Sequence, residues 1–150
     1  MRVLFVCMGN ICRSPTAEGV MAALLREAGR DDVELDSAGT GGWHAGSPPD
    51  ERATAAAAQR GIELTGAARQ VRASDFDEFD LLVAMDRDNR DDLLALAPNE
   101  QARAKVRLLR DYDTSADAPD VPDPYYGGER GFEHVLDVVD AGCRGLLTEL

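Results

Sequence analysis

Short apolar runs alternate with helical patterns along this chain. Arg2-Val3-Leu4-Phe5-Val6 is a compact run bounded by Gly9-Asn10, the pattern of a short buried strand. Ala17, Val20, Met21, Leu24, Leu25 and Ala28 then keep helical spacing. Ser14 suits the N-cap of that helix and Pro15 its first position. Val33 to Ala38 alternates apolar and polar residues and ends in a loop over Gly39 to Gly42. Ser47-Pro48-Pro49-Asp50 has the form of a capping box, with Asp in place of Glu, for an Ala-rich helix ending near Gly61. Leu81 to Met85 predicts another buried strand, followed by a helix over about Asp88 to Leu96. Val106-Arg107-Leu108-Leu109 predicts a last strand. A loop rich in Asp and Pro runs from Asp111 to Gly128. The final helix carries Phe132, Val135, Leu136, Val139, Cys143, Leu146, Leu147 and Leu150 on one face. On that face Cys143 reads as a small buried hydrophobe.

Alternating strands and helices imply a parallel sheet with helices on both faces, joined by right-handed crossovers. Ligands of such sheets bind beyond the carboxyl ends of the strands. The segment Cys7-Met8-Gly9-Asn10-Ile11-Cys12-Arg13 leaves the carboxyl end of the first strand and enters a helix. No repeat, low-complexity tract or linker divides the chain, so residues 1–150 are expected to form one domain.

Composition narrows the function classes. At 44% hydrophobic and 29% charged residues the chain reads as globular. No apolar stretch approaches the roughly 18 residues of a membrane span, and the N-terminus lacks a signal-peptide cleavage pattern. A cytoplasmic protein is expected. The net charge of −12 argues against general nucleic-acid or anionic-membrane binding. It also means that any anion must be held by a strong local device. Three cysteines, with no secreted context, do not suggest a disulfide scaffold, and His44 and His134 have no zinc-ligand spacing.

That local device lies in the first loop. A strand, a tight loop and a helix N-terminus direct backbone N–H groups and the helix dipole at one point, a cradle for a tetrahedral oxyanion. Arg13 sits where the dipole disfavours a cation, unless an anion is bound there. Its planar fork fits two phosphate oxygens. Cys7 at the loop entrance is placed to attack that anion, because a helix N-terminus and a nearby cation favour the nucleophilic thiolate. Gly9 and Asn10 are read as residues that permit unusual backbone angles.

Cys7-(x)5-Arg13-Ser14 near the start of the chain and Asp123-Pro124-Tyr125-Tyr126 toward its end resemble the low-molecular-weight protein tyrosine phosphatases. Ser37-Ala38-Gly39-Thr40 and Ala84-Met85-Asp86 extend the resemblance over essentially the whole chain. The resemblance implies an α/β three-layer sandwich around a mostly four-stranded parallel sheet of flavodoxin-like topology. It implies hydrolysis of phosphotyrosine in a protein, or of a small aryl phosphate, through a phosphocysteine, with inorganic phosphate as product and no metal or other cofactor. Cys7 is then the nucleophile, Arg13 the transition-state cation, and Asp123 the general acid and later base. Ser14 is expected to donate to the Cys7 thiolate as well as to cap the helix. Met8, Gly9, Asn10, Ile11 and Cys12 complete the phosphate loop, and Trp43, Tyr125 and Tyr126 are candidate walls for the substrate ring. The apolar Ile11 favours an aromatic phosphoester over a phosphoguanidinium group. Cys12 is a candidate partner for Cys7 on oxidation.

Thr65 to Gln70 lacks a histidine that many relatives place there to support the loop asparagine, so different packing beneath Asn10 is expected. Two other activities compete on this scaffold. A protein-arginine phosphatase differs in substrate. An arsenate reductase needs a resolving thiol, for which only Cys12 and Cys143 are present. A non-catalytic phosphate-binding module is a third possibility, and it has no need of Cys7 or Asp123. The Walker A pattern of P-loop NTPases is absent.

Overall fold

The computed structural model of the protein describes residues 1–124 and 128–150. Its elements are β1 (Arg2–Cys7), α1 (Arg13–Glu27), β2 (Glu34–Gly39), α2 (Glu51–Ala58), α3 (Asp75–Glu78) and β3 (Leu81–Ala84), then α4 (Arg87–Leu96), α5 (Glu100–Arg103), β4 (Val106–Leu108), a 3-10 turn (Leu109–Tyr112) and α6 (Gly128–Leu147). The strands form one parallel sheet in the order β2-β1-β3-β4, which is the flavodoxin-like arrangement expected.

Strand composition follows strand position. β1 is flanked on both sides, and Val3 to Cys7 are all buried, so both faces of its apolar run are used. β2 and β4 lie at the edges and keep polar residues, Glu34 and Asp36 in one and Arg107 in the other. Val3, Phe5, Val83 and Met85 pack with α1, α2 and α6. Leu4, Val6, Leu82 and Ala84 pack against residues of α3, α4 and α5 on the opposite face. Each fully buried Leu or Phe contributes about 1.5–3 kcal/mol. The result is a helix–sheet–helix sandwich with Cys7 at its upper edge. Among the described residues no helix is long and apolar enough to cross a membrane.

Two expected helix starts are corrected. Ser14 does not cap α1: the N-cap is Cys12, which makes no side-chain capping bond, and Ser14 lies within the first turn. Its hydroxyl is engaged by Cys7 and Asn10 instead. Ser47 likewise does not open α2, because Asp50 is itself the N-cap and accepts from the N–H groups of Arg52 and Ala53. The short helices α3 and α5 and the 3-10 turn were not expected. They are about one turn long, too short for an apolar period to register.

Candidate active site

In the order β2-β1-β3 the chain steps from β1 to β2 on one side and then from β2 to β3 on the other, and the crevice above the carboxyl end of β1 falls on the phosphate-loop candidate. Cys7 pairs with Gly39 in register, and the strands remain tied beyond it by Thr40 N–H to the Cys7 carbonyl at 2.9 Å and Gly41 N–H to the Met8 carbonyl at 2.9 Å. Gly39 is needed for this approach, since a Cβ there would stand 2.7 Å from the Met8 carbonyl oxygen.

A cavity of about 390 Å³ opens above the loop, lined by Cys7, Met8, Gly9, Ile11, Cys12, Arg13, Trp43, His44 and Asp123. Eight of these nine were singled out in the sequence, and His44 was not. The His44 ring lies over Gly9, where a Cβ would meet it at 3.0 Å. Gly9 is therefore explained by close approach. The expected unusual backbone angle occurs only at Asn10, with φ of 57°. Trp43 is 74% exposed at the cavity mouth, lying across Gly41. Tyr125 and Tyr126 lie outside the described residues.

Asn10 and Ser14 do not line the cavity; they are buried beneath the loop and hold it. Asn10 Oδ1 accepts from the Arg69 N–H at 3.0 Å, which fixes the orientation of the amide. Its Nδ2 then donates to Ser14 Oγ at 2.9 Å and to Ser37 Oγ at 3.0 Å. Ser14 Oγ also lies 3.0 Å from Cys7 Sγ, and to a Cys7 thiolate, which can only accept, its hydroxyl donates. The Asn10 N–H also donates to that sulfur at 3.2 Å. Ser37 and the Arg69 backbone thus complete the support of Asn10. The roles of both escaped the sequence reading.

Electrostatics favours an anion at this point. α2, α4 and α5 are each capped by a side chain, from Asp50, Asp86 and Asn99. α1 has neither a side-chain cap nor an acidic residue in its first turn. Its positive end therefore acts undiminished on the cavity.

Arg13 is nearly buried, and its Nη1 donates to Asp86 Oδ2 at 2.7 Å and to the Val121 carbonyl at 2.9 Å. Burial works against its charge. The Cys7 sulfur, the Asp86 bond and charge, and Asp123 outweigh it, so the guanidinium is held more firmly protonated than usual. In the sequence Asp86 stands out only within the resembling segment Ala84-Met85-Asp86. Its place at the carboxyl end of β3, on the same sheet edge as Cys7, is the signal that could have found it.

Cys12 behaves differently from a reactive thiol. Burial, reinforced by Asp50, Cys7 and Asp123 and opposed by Arg52, pushes its thiol up to about 12. Cys143 is fully buried in the contact of α6 with α1, donates to the Ala17 carbonyl at 3.7 Å, and burial pushes its thiol up as well. It is not positioned to resolve a bond formed at Cys7. Among the described residues, no three His, Cys, Asp or Glu side chains converge as a metal site would require.

Residues 2–150 match the family model for low molecular weight phosphotyrosine protein phosphatase. The low molecular weight protein-tyrosine-phosphatase of Streptomyces coelicolor is 53% identical over 150 residues, covering 98% of this chain and 92% of that protein. The crystal structure of a protein tyrosine phosphatase from Entamoeba histolytica, with Hepes in its active site, superposes with a TM-score of 0.96 at 41% identity, covering 99% of this chain and 96% of that one. A Drosophila arginine phosphatase superposes with a TM-score of 0.93 at 32% identity, covering 99% and 97%. With this sheet order, this loop and these matches, the chain belongs to the low molecular weight phosphotyrosine protein phosphatase family.

Proposed function

We propose that residues 1–150 form one phosphatase domain that hydrolyses phosphotyrosine in proteins, and aryl phosphates generally, through a phosphocysteine at Cys7. The observation that carries this reading is the position of the Cys7 sulfur. It accepts the Asn10 N–H and lies 3.0 Å from the Ser14 hydroxyl at the uncapped end of α1, in one cavity with Arg13 and Asp123.

The phosphate of the substrate sits in the loop, its oxygens facing backbone N–H groups and Arg13. Both anchoring bonds of Arg13 use Nη1, which leaves its Nε–Nη2 edge for two equatorial oxygens. The Cys7 thiolate attacks phosphorus, the S–P bond forms, and the P–O bond to the phenol breaks in line with it. Asp123 supplies the proton that the leaving oxygen needs. A water then attacks the phosphocysteine, Asp123 takes its proton, and the thiolate departs, stabilised by Ser14. The acid–base step is worth about 10²–10⁴-fold in rate. Charge neutralisation by Arg13 and the N–H groups leaves no step that needs a metal or other cofactor.

Ile11 and Trp43 give the cavity apolar and aromatic surfaces suited to a flat ring. This favours phosphotyrosine over phosphoarginine, the substrate class suggested by the name of the Drosophila relative. The reductase reading lacks an accessible resolving thiol beyond Cys12. Three cysteines without a disulfide suit a reducing compartment, so the cytoplasm is the proposed location.

The test is hydrolysis of p-nitrophenyl phosphate in the presence of a chelator by the wild-type protein and Cys7→Ser. Activity in the first and none in the second is expected. Undiminished activity in the variant, or none in folded and reduced wild type, contradicts the assignment. Phosphotyrosine and phosphoarginine peptides compared by kcat/KM then decide the substrate class.

A further inference from the structure

Arg110 is a buried arginine that does not line the active-site cavity, and among the described residues its Nε has no hydrogen-bond partner. For stability alone an apolar side chain of similar shape would serve as well. The guanidinium adds two directed bonds, both to the loop that leads to Asp123. Nη1 donates to the Asp120 carbonyl at 3.0 Å, and Nη2 to Asp117 Oδ1 at 2.9 Å.

The next residues are held from other directions. Asp120 Oδ1 accepts from the Arg87 backbone N–H at 2.9 Å and from Arg87 Nε at 3.2 Å, and Arg87 Nη2 reaches Oδ2 at 3.2 Å. The Val121 N–H donates to the Met85 carbonyl at 2.8 Å, and its own carbonyl accepts from Arg13 Nη1. From Val121 onward the backbone has little freedom. Pro122 fixes its own φ, and Pro124 restricts Asp123 to extended conformations. On the far side Pro124 lies close to Gly131 of α6, where an added Cβ would come within 3.4 Å of the Pro124 carbonyl oxygen. The anchors at Asp120 and Val121 together therefore set where the Pro-stiffened stretch to Asp123 begins, and with it the Asp123 backbone.

We propose that Arg110, with the Arg87–Asp120 pair, is a positioning residue that sets Asp123 at its working distance from the leaving oxygen. This rests on Asp123 being the general acid. Arg13 belongs to the same framework, since the cation that holds the phosphate also holds the carbonyl two residues before that acid.

The experiment compares kcat/KM for phenyl phosphate, whose leaving group needs a proton, with that for 2,4-dinitrophenyl phosphate, whose leaving group does not. This parameter reports the steps through phosphoryl transfer. Arg110→Met should lose about 10-fold on phenyl phosphate and less than about 2-fold on the dinitrophenyl ester. Arg87→Ala removes an exposed side chain, and should show the same selectivity at about 3-fold. In an Asp123→Asn background, Arg110→Met should have no further effect, because the two act in one chain of contacts. Equal losses on both esters, or unchanged ratios in both folded single variants, overturn the proposal. Asp123→Asn alone separates the two assignments. Equal loss on both esters there overturns the acid and with it the positioning role. Selective loss there, without selectivity in the arginine variants, overturns the positioning role only.

Discussion

Removing Asp86 tests how the site holds its cation. Asp86 has two tasks: it pairs with the buried Arg13 at 2.7 Å, and it caps α4 by accepting from the Asn89 N–H at 2.7 Å. Breaking a buried pair by deleting one partner costs about 3–5 kcal/mol. Arg13 keeps its bond to the Val121 carbonyl and the neighbouring Cys7 sulfur, so the lower end, about 3 kcal/mol, applies. Loss of the cap adds about 1 kcal/mol. Asp86→Ala should therefore destabilise the fold by about 4 kcal/mol, and Asp86→Asn, which retains a capping acceptor, by about 3 kcal/mol. At this chain length 1 kcal/mol corresponds to about 2–4 °C, so the alanine variant should melt about 8–16 °C below wild type. Urea and thermal unfolding at neutral pH under reducing conditions measure both variants. An alanine variant within about 1 kcal/mol of wild type would refute the view that Arg13 depends on Asp86. An asparagine variant as unstable as the alanine one would refute the capping contribution.

Two further expectations concern titration and thiol chemistry. Burial raises the Glu18 carboxyl, with Asp36 adding to the shift and Ser37 and Arg69 opposing it. The folded state then favours the protonated form, so stability is lost as pH rises from the unfolded carboxyl's pKa through the folded one, and Glu18→Gln should gain in Tm over wild type at neutral pH but not at acidic pH. A Tm difference independent of pH would refute this. At neutral pH iodoacetamide should label Cys7 and spare Cys12, whose thiol is pushed up to about 12, and peptide mapping reads the ratio. If Cys12 protects Cys7 as a disulfide partner, Cys12→Ser should recover less activity on thiol treatment after peroxide, and equal recovery would exclude that role.

Local chemistry made much of this legible. The apolar run Arg2 to Val6 reads as a short buried strand, and the Cys7–Arg13 spacing places nucleophile and cation on one loop. Ser14 shows where local rules stop. Its residue type favours an N-cap, but in the fold its hydroxyl is worth more between Asn10 and Cys7, and the helix end stays uncapped toward the cavity. Asp86, Ser37 and the Arg69 backbone act through contacts with residues 73, 27 and 59 positions away, and no local period encodes such distances. His44 carried no signal because a lone histidine in a Gly-rich loop has many uses. Strand order came from the resemblance rather than from the apolar pattern, which is the same whichever edge a strand occupies.

The central claim is that the phosphoryl group passes through Cys7. Rapid acid quench of the enzyme during turnover of an aryl phosphate, followed by peptide mapping, observes this directly. Phosphate should be recovered on the peptide carrying Cys7, and be absent from Cys7→Ser. Phosphate on another residue, or sustained turnover with no phosphorylated peptide at any time point, would contradict it.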